Sequence, residues 1–485
     1  MPVLIDRSIF LSALLIFAAG PTSAVTHLQF LYINAGEESA SGGHVGLKLG
    51  DEVFHFQHVP PGLLRIKRDD YAQFRLQYAQ RENRTIQMHH VEVAEETLDL
   101  LHEHLNRILL IEDEQFDRLE ALENDRRLLE SLLRQANRLE RNPIITEPTD
   151  GAERLLVKGA GLFLPVDGHQ TDATGEKPKH LADAGIARLA GRIEADYGTA
   201  FLPNKTREMV SRLETLKPQA YAASAAALAE DGFRPADYSF SERYADLMAA
   251  LAAVRVLALG LPLRDGVLLR PKGLEFRLNE AEKLGLGHYR SRLECQLLGL
   301  LQTKRTDWGF PLLLGMARLA ALDESIASGH WVFLNLAEPR STIAEPEAGH
   351  KEDRQAAYAL SRSRFFAAKL VLADSTAADE WAYGYLEQTA NVFFELGNAI
   401  AEGRAVHLGG MDSTPLNQAA MALLLPAMTA AQLQDKLDNL EDYRSNYETV
   451  LSNLYAYNLI GRNCASEIFR IMAVFTQPLE KVKLA

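Results

Sequence analysis

Two cysteines stand in this chain of 485 residues, Cys295 and Cys464. The second lies in "NLIGRNCASEIF", Asn458 to Phe469, where Gly461 breaks one element and a new helix is expected to open. Asn463 is a good N-cap residue. Glu467 puts an acid in the first turn, where the helix dipole favours it. Cys464 is then the first helical residue. A thiol there lies near free backbone N–H groups and the positive dipole end, both of which stabilise a thiolate. A nearby imidazole stabilises it further and can carry its proton. The chemistry implied is nucleophilic attack on a carbonyl carbon.

The imidazole must come from an element able to face that helix. His44, in "SGGHVGLKLGDEVFHF", follows a Gly-Gly step and opens an expected strand. A hairpin turning on Gly50-Asp51 sets Leu49 opposite Glu52, Gly46 opposite His55 and His44 opposite Gln57. The two-residue period then puts His44, Gly46, His55 and Gln57 on one face. Gly46 leaves room for a helix end to approach. His55 or Gln57 can bond the far nitrogen of His44 and fix its tautomer. This is the nucleophile–imidazole–orienter logic of thiol enzymes, which depends on geometry and not on chain order. The Cys464 N–H would be one oxyanion donor, and Tyr32 of "FLYIN" is a candidate polar neighbour.

Two plainer readings compete for Cys464: a buried structural thiol, or a disulfide to Cys295, itself on the apolar side of a helical pattern. His89 and His90 are adjacent on an expected strand, so they point to opposite faces. No third ligand joins His44 and His55, so no metal is expected, and no cofactor either.

The elements that must position these groups follow from periodicity. His27 to about Val93 is β-like: "HLQFLYIN", the hairpin, and "RTIQMHHVEV". From about Ala94 the period turns helical, with Leu98, Leu101, Leu105 and Leu109 on one face, and Phe116, Leu119, Leu122, Leu129 and Leu133 beyond. "NPIITEPTDG" is a break and "GLFLPVDGHQTDATGEKPKH" a polar loop. Mostly helical sequence follows to about Leu437, with an expected small hairpin turning at Pro271–Gly273 and a polar loop at "STIAEPEAGHKEDRQ". "LMAALAAVRVLALGLPL" reads as a buried helix interrupted by Arg255. In the last helix Ile468, Phe469, Met472 and Phe475 form the expected buried face.

"HVGLKLGDEVFHF" resembles the first-His hairpin of the permuted papain-like proteins, the group of lecithin–retinol acyltransferase. "GRNCASEIF" is similar to their Asn-Cys helix start, and more broadly to the Cys helix of NlpC-type cell-wall peptidases. In that branch the His strand precedes the Cys helix, as here. The resemblance covers about residues 27–110 and 450–476. It implies a Cys464 nucleophile, a His44 base and a polar third residue on the next strand, His55. That third residue stands one position earlier than in the acyltransferases, so Gln57 is the other candidate. "ASE" replaces their "EHF" after the Cys.

Composition limits the partners. Acidic residues number 65 against 51 basic, a formal net charge of -14. This argues against a nucleic-acid footprint and against broad adhesion to anionic lipid. Hydrophobic content of 47% and charged content of 24% are globular values. "MPVLIDRSIFLSALLIFAAGPTSAVTH" fits a secretory signal peptide cleaved after Ala24. Its apolar run is shorter than the roughly 20 residues of a membrane span, and no Cys follows it for a lipoprotein anchor. No transmembrane helix is expected after cleavage, and the expected location is the bacterial periplasm or envelope.

The expected architecture is α+β: a small antiparallel sheet plus a Cys-bearing helix, papain-like and circularly permuted, with a large, mainly helical insertion. The expected parts are a signal peptide (1–24), the first part of the core (25–110), the insertion (111–445) and the last part of the core (446–485). The expected function is an exported cysteine hydrolase or acyltransferase acting on an amide or acyl bond. Its substrate would be a cell-wall peptide, a protein or a lipid. The alternative is a non-catalytic envelope binding or scaffold protein on a degenerate papain-like core.

Overall fold

The structure is a computed structural model that describes residues 25–35, 43–81, 84–141, 152–164, 183–221, 238–336, 351–373, 379–404, 406 and 417–476. The expected signal segment, most of the loop before His44 and the break at 142–151 lie outside the described residues.

In chain order the elements are β1 (Val25–Ile33), β2 (His44–Leu49), β3 (Glu52–Val59), β4 (Leu63–Asp70), α1 (Tyr71–Arg75), β5 (Ile86–Ala94), α2 (Glu95–Arg141) and β6 (Arg154–Lys158). Then come α3 (Asp183–Tyr197), α4 (Phe201–Thr215), α5 (Phe240–Leu259), β7 (Leu268–Leu269), α6 (Glu280–Leu300), α7 (Gly309–Ser328) and β8 (Phe333–Leu334). The last are α8 (Lys351–Ala373), α9 (Glu380–Glu402), β9 (Gln418–Ala422), α10 (Ala430–Tyr455) and α11 (Cys464–Thr476).

The class is α+β, a small antiparallel sheet with many helices. Two compact units divide the chain. Unit 1 takes Met1–Glu123, Tyr221–Asp237 and Asn439–Ala485; unit 2 takes Asn124–Ala220 and Tyr238–Asp438.

Unit 1 is built on a five-stranded sheet in the order β4-β3-β2-β1-β5, with every neighbouring pair antiparallel. The β2–β3 hairpin turns at Gly50, whose φ of 59° suits glycine. Its register sets Leu49 opposite Glu52 and Gly46 opposite His55. On one face, Leu28, Leu47, Phe54 and Phe56 pack with Leu101, Leu105 and Leu109 of α2 and with Ile468 and Ile471 of α11. The four-residue spacing on α2 is the apolar stripe of an amphipathic helix. On the other face, Leu31, Ile33 and Val53 pack with Phe74 and Tyr78. Central strands buried on both faces carry apolar residues at consecutive positions.

Two expectations on buried surface are corrected here. Phe469 was expected to be buried on α11, but it is 56% exposed, with one ring side stacked on Phe30, while Ile471 is 2% exposed. The stripe runs from Ile468 to Ile471, one turn of helix, and Phe469 sits about 100° off it. The segment around Pro271–Gly273 is not a hairpin. β7 pairs instead with β8, beyond α7, with Leu268 opposite Leu334. Burial of Phe333 and Leu334 selects that distant partner.

Unit 2 centres on α5, whose residues Ala249 to Val254 are all buried. Ser239 and Glu242 close a capping box at its start. Among the described residues no helix is long and apolar enough to cross a membrane. The start of α7 lies directly on α5: a Cβ added at Gly309 would stand 2.1 Å from the Ala250 backbone nitrogen. Two backbones cannot yield as side chains do. Gly309→Ala is therefore expected to lower the stability of unit 2 by about 1–3 kcal/mol or more. Gly287→Ala on α6, where nothing lies within 4 Å, should be neutral or stabilising. Urea unfolding followed by tryptophan emission compares the two.

Candidate functional site

The site is built on the face of the unit 1 sheet that carries Leu31, Ile33 and Val53. Strand alternation puts His44 and Gly46 of β2 and His55 of β3 on this face. Asp69 of β4 joins them, because its backbone pairs with Val53, two residues before His55. A Cβ added at Gly46 would stand 3.1 Å from Val53 Cγ1 and 3.5 Å from His55 Cβ, so glycine suits the close packing of β2 on β3 here.

A hydrogen-bonded chain results. His44 Nε2 lies 2.9 Å from His55 Nδ1. His55 Nε2 lies 2.9 Å from Asp69 Oδ2. The bond from His55 holds the Asp69 carboxyl below its usual pKa, against the effect of burial, so Asp69 is an acceptor only. In its neutral form His55 donates from Nε2 to Asp69 and accepts at Nδ1. His44 then donates from Nε2, which leaves its Nδ1 as a bare acceptor. Among the described residues, no hydroxyl or thiol is bonded to His44.

The surroundings hold this arrangement in place. His55 is fully buried, edge-on to Phe74 at 5.1 Å. The His44 ring stacks on Tyr78 at 5.2 Å. Burial is the main reason that the His44 pKa falls to about 3, aided by the charge His55 carries when protonated and by that of Arg84. His44 is thus neutral at physiological pH, and its burial opposes protonation. Gln57 shares the face but donates to the Tyr78 hydroxyl at 3.5 Å and not to His44. Of the two orienters that the sequence offered, His55 makes the bond.

Cys464 stands elsewhere. It begins α11, as the sequence indicated. Asn463 caps the helix: its Oδ1 accepts from the backbone N–H of Ala465 and of Ser466, each at 3.0 Å. Ser466 Oγ returns a bond to the Asn463 N–H at 2.7 Å, a reciprocal cap. The Cys464 side chain is half-buried against the cluster containing Leu47, Phe54 and Ile468. That cluster covers the opposite face of the sheet from His44. Tyr32 is on the Cys464 face, paired with Val45. The structure thus brings His44 and His55 together and keeps Cys464, Asn463 and Tyr32 away from them.

No known protein family, curated protein or solved structure matches this chain.

Both cysteines are free thiols, so the disulfide reading falls. Cys295 is exposed beside the Arg192 guanidinium at 3.9 Å, not on an apolar face. Among the described residues no group of three His, Cys, Asp or Glu could hold a metal ion. Sequence reasoning missed Asp69 and Tyr78. "LLRIKRDD" mixes polar residues into an edge strand, so its period was not seen. The signal available was the Asp69-Asp70 pair at its end, one of which had to fall on the His55 face.

Proposed function

We propose that unit 1 is the catalytic unit of an exported hydrolase or acyltransferase that acts on an amide or acyl bond, with His44 as its general base. The single observation that carries this reading is the His44–His55–Asp69 chain, which presents a neutral imidazole with one bare nitrogen. His44 Nδ1 takes the proton of the attacking group as that group adds to the carbonyl carbon. Burial disfavours the resulting imidazolium, and the Asp69 carboxylate, acting through His55, offsets part of that cost while the proton is held. The same proton then passes to the leaving group as the C–N or C–O bond breaks. Cys464 attacking with His44 as base would require the sulfur on the His44 side of the sheet. The geometry favours water or a substrate hydroxyl as the group that His44 deprotonates.

A second reading, a non-catalytic binding protein on a degenerate papain-like core, is favoured by one observation: the sheet stands between the thiol and the imidazole. Turnover of p-nitrophenyl acyl esters and of cell-wall muropeptides by the full chain separates the readings. His44→Ala is expected to lose about 10²–10⁴-fold in rate. Asp69→Asn should lose less, with its folded circular dichroism spectrum intact. Cys464→Ala should retain turnover, and alkylation of Cys464 against pH should be the same with and without His44. Loss of all turnover in Cys464→Ala, with alkylation that depends on His44, restores the thiol pair. No turnover on either substrate class selects the binding reading.

A further inference from the structure

Unit 2 contains a cleft of 790 Å³, within the size range of small-molecule sites, about 300–1,000 Å³. Gln296 of α6, Arg318 of α7 and the first turns of α9 line it. Along α9, Trp381 and Tyr385 are four residues apart, so their rings project from one stripe. Gln388 continues that stripe into the cleft. Trp381 is 82% exposed, whereas Trp308 and Trp331 are 2% and 0% exposed. An indole left in water forgoes a large part of the burial that a tryptophan normally gains.

Charge narrows what can cover it. The Arg318 guanidinium donates to Glu387, at 2.7 Å from Nη2, and to Glu380. Glu380 also accepts from the Tyr289 hydroxyl at 2.8 Å. Asp379 caps α9 by accepting from the Ala382 N–H at 2.8 Å. The one cation is committed to carboxylates, and the lining carries Asp379 and Glu380 against Arg318, which disfavours an anionic ligand. The lining acids are themselves engaged, which disfavours a cation. What remains is a pair of aromatic faces with the Gln296 side-chain amide, able to donate and accept.

We infer that this cleft binds a saccharide. The apolar C–H face of a neutral sugar ring lies on Trp381 and Tyr385, where the electron-rich ring faces attract it. Its hydroxyls exchange hydrogen bonds with the Gln296 amide. The site is separate in its residues from the His44 chain of unit 1.

Tryptophan emission of the full chain tests this directly, because only Trp381 among the tryptophans faces solvent. Tri-N-acetylchitotriose, cellotriose and maltotriose are titrated in turn, with calorimetry as a second readout. The expected result is a saturating blue shift with at least one of them. Trp381→Ala should weaken the calorimetric affinity at least about tenfold, with an unchanged circular dichroism spectrum, since an exposed side chain contributes little to folding. Tyr385→Ala should weaken it less. The inference is overturned if no saccharide saturates by ~10 mM, or if affinity survives within about twofold in Trp381→Ala. It is equally overturned if tetramethylammonium chloride produces the saturating shift in place of the saccharides, which would mark a cation site.

Discussion

Arg318→Met is expected to destabilise unit 2 by about 3–5 kcal/mol. Arg318 is almost wholly buried on α7, and its partner Glu387 on α9 is fully buried. Nε and Nη2 of the arginine both donate to Glu387 Oε2, at 3.1 and 2.7 Å. Burial works against the guanidinium's charge, yet Glu387 and Glu380 together hold its pKa above the usual arginine value. Glu387 in turn accepts from the Leu334 N–H of β8 at 3.2 Å. The pair thus joins two helices and a strand. Methionine fills a similar volume but leaves the buried Glu387 carboxyl without its ion-pair partner, in an interior where burial already raises its pKa. Most of the expected loss is that orphaned carboxyl, so removing it should restore stability. Arg318→Met with Glu387→Gln is expected to be clearly more stable than Arg318→Met alone, a non-additivity that a double-mutant cycle reads out. All three tryptophans belong to unit 2, so urea unfolding by tryptophan emission reports on the right unit. Equal midpoints for the single and double variants would remove the ion pair from the account of how α7 and α9 are held.

Local rules carried the sequence reading where one stretch of chain sets its own geometry. Gly50-Asp51 fixes the hairpin, and the hairpin fixes which residues share a face with His44. Asn463 fixes the start of α11, because its side chain satisfies N–H groups within three residues. The leucines from Leu101 to Leu109 fix one face of α2. What could not be read was which sheet face each helix covers. His44 and Cys464 are each in the local setting that the sequence implied, yet α11 packs on the face of Val45 and Leu47, one residue out of step with His44. A one-residue step in a strand reverses the side of the sheet, and no local pattern records it. Asp69 was illegible for a related reason: an edge strand with one solvated side shows only a broken alternation, and its acid gains meaning only from the pairing of β3 with β4.

The pairing of β4 leads to a second large effect, this time on pH. As the outer strand of the sheet, β4 has backbone groups with no strand partner on one side. The Ile66 N–H is met instead by Glu112 of α2, at 2.7 Å. Glu112 is buried, and burial is the main cause that pushes its pKa up from 4.5 to about 8, against the Ile66 bond and the nearby Arg462 and Arg65 and with the help of Glu467. In the folded chain it therefore keeps its proton over a range in which the unfolded chain has lost it. The folded state binds more protons there, so stability falls as pH rises. The stabilising contribution is complete below pH 4.5 and is lost as pH climbs through about 8. Each unit across that window is worth up to about 1.4 kcal/mol. Glu112→Gln keeps an oxygen to accept the Ile66 N–H and removes the titration. Its unfolding free energy is expected to depend less steeply on pH between the two values, and to exceed that of the unaltered chain near pH 9. Unit 1 contains no tryptophan, so amide hydrogen exchange across β3 and β4 is the measurement, run from pH 5 to pH 9 with intrinsic exchange rates corrected. Protection of those strands that falls with pH equally in both proteins would show that Glu112 is ionised throughout and is held by Arg65 and Arg462.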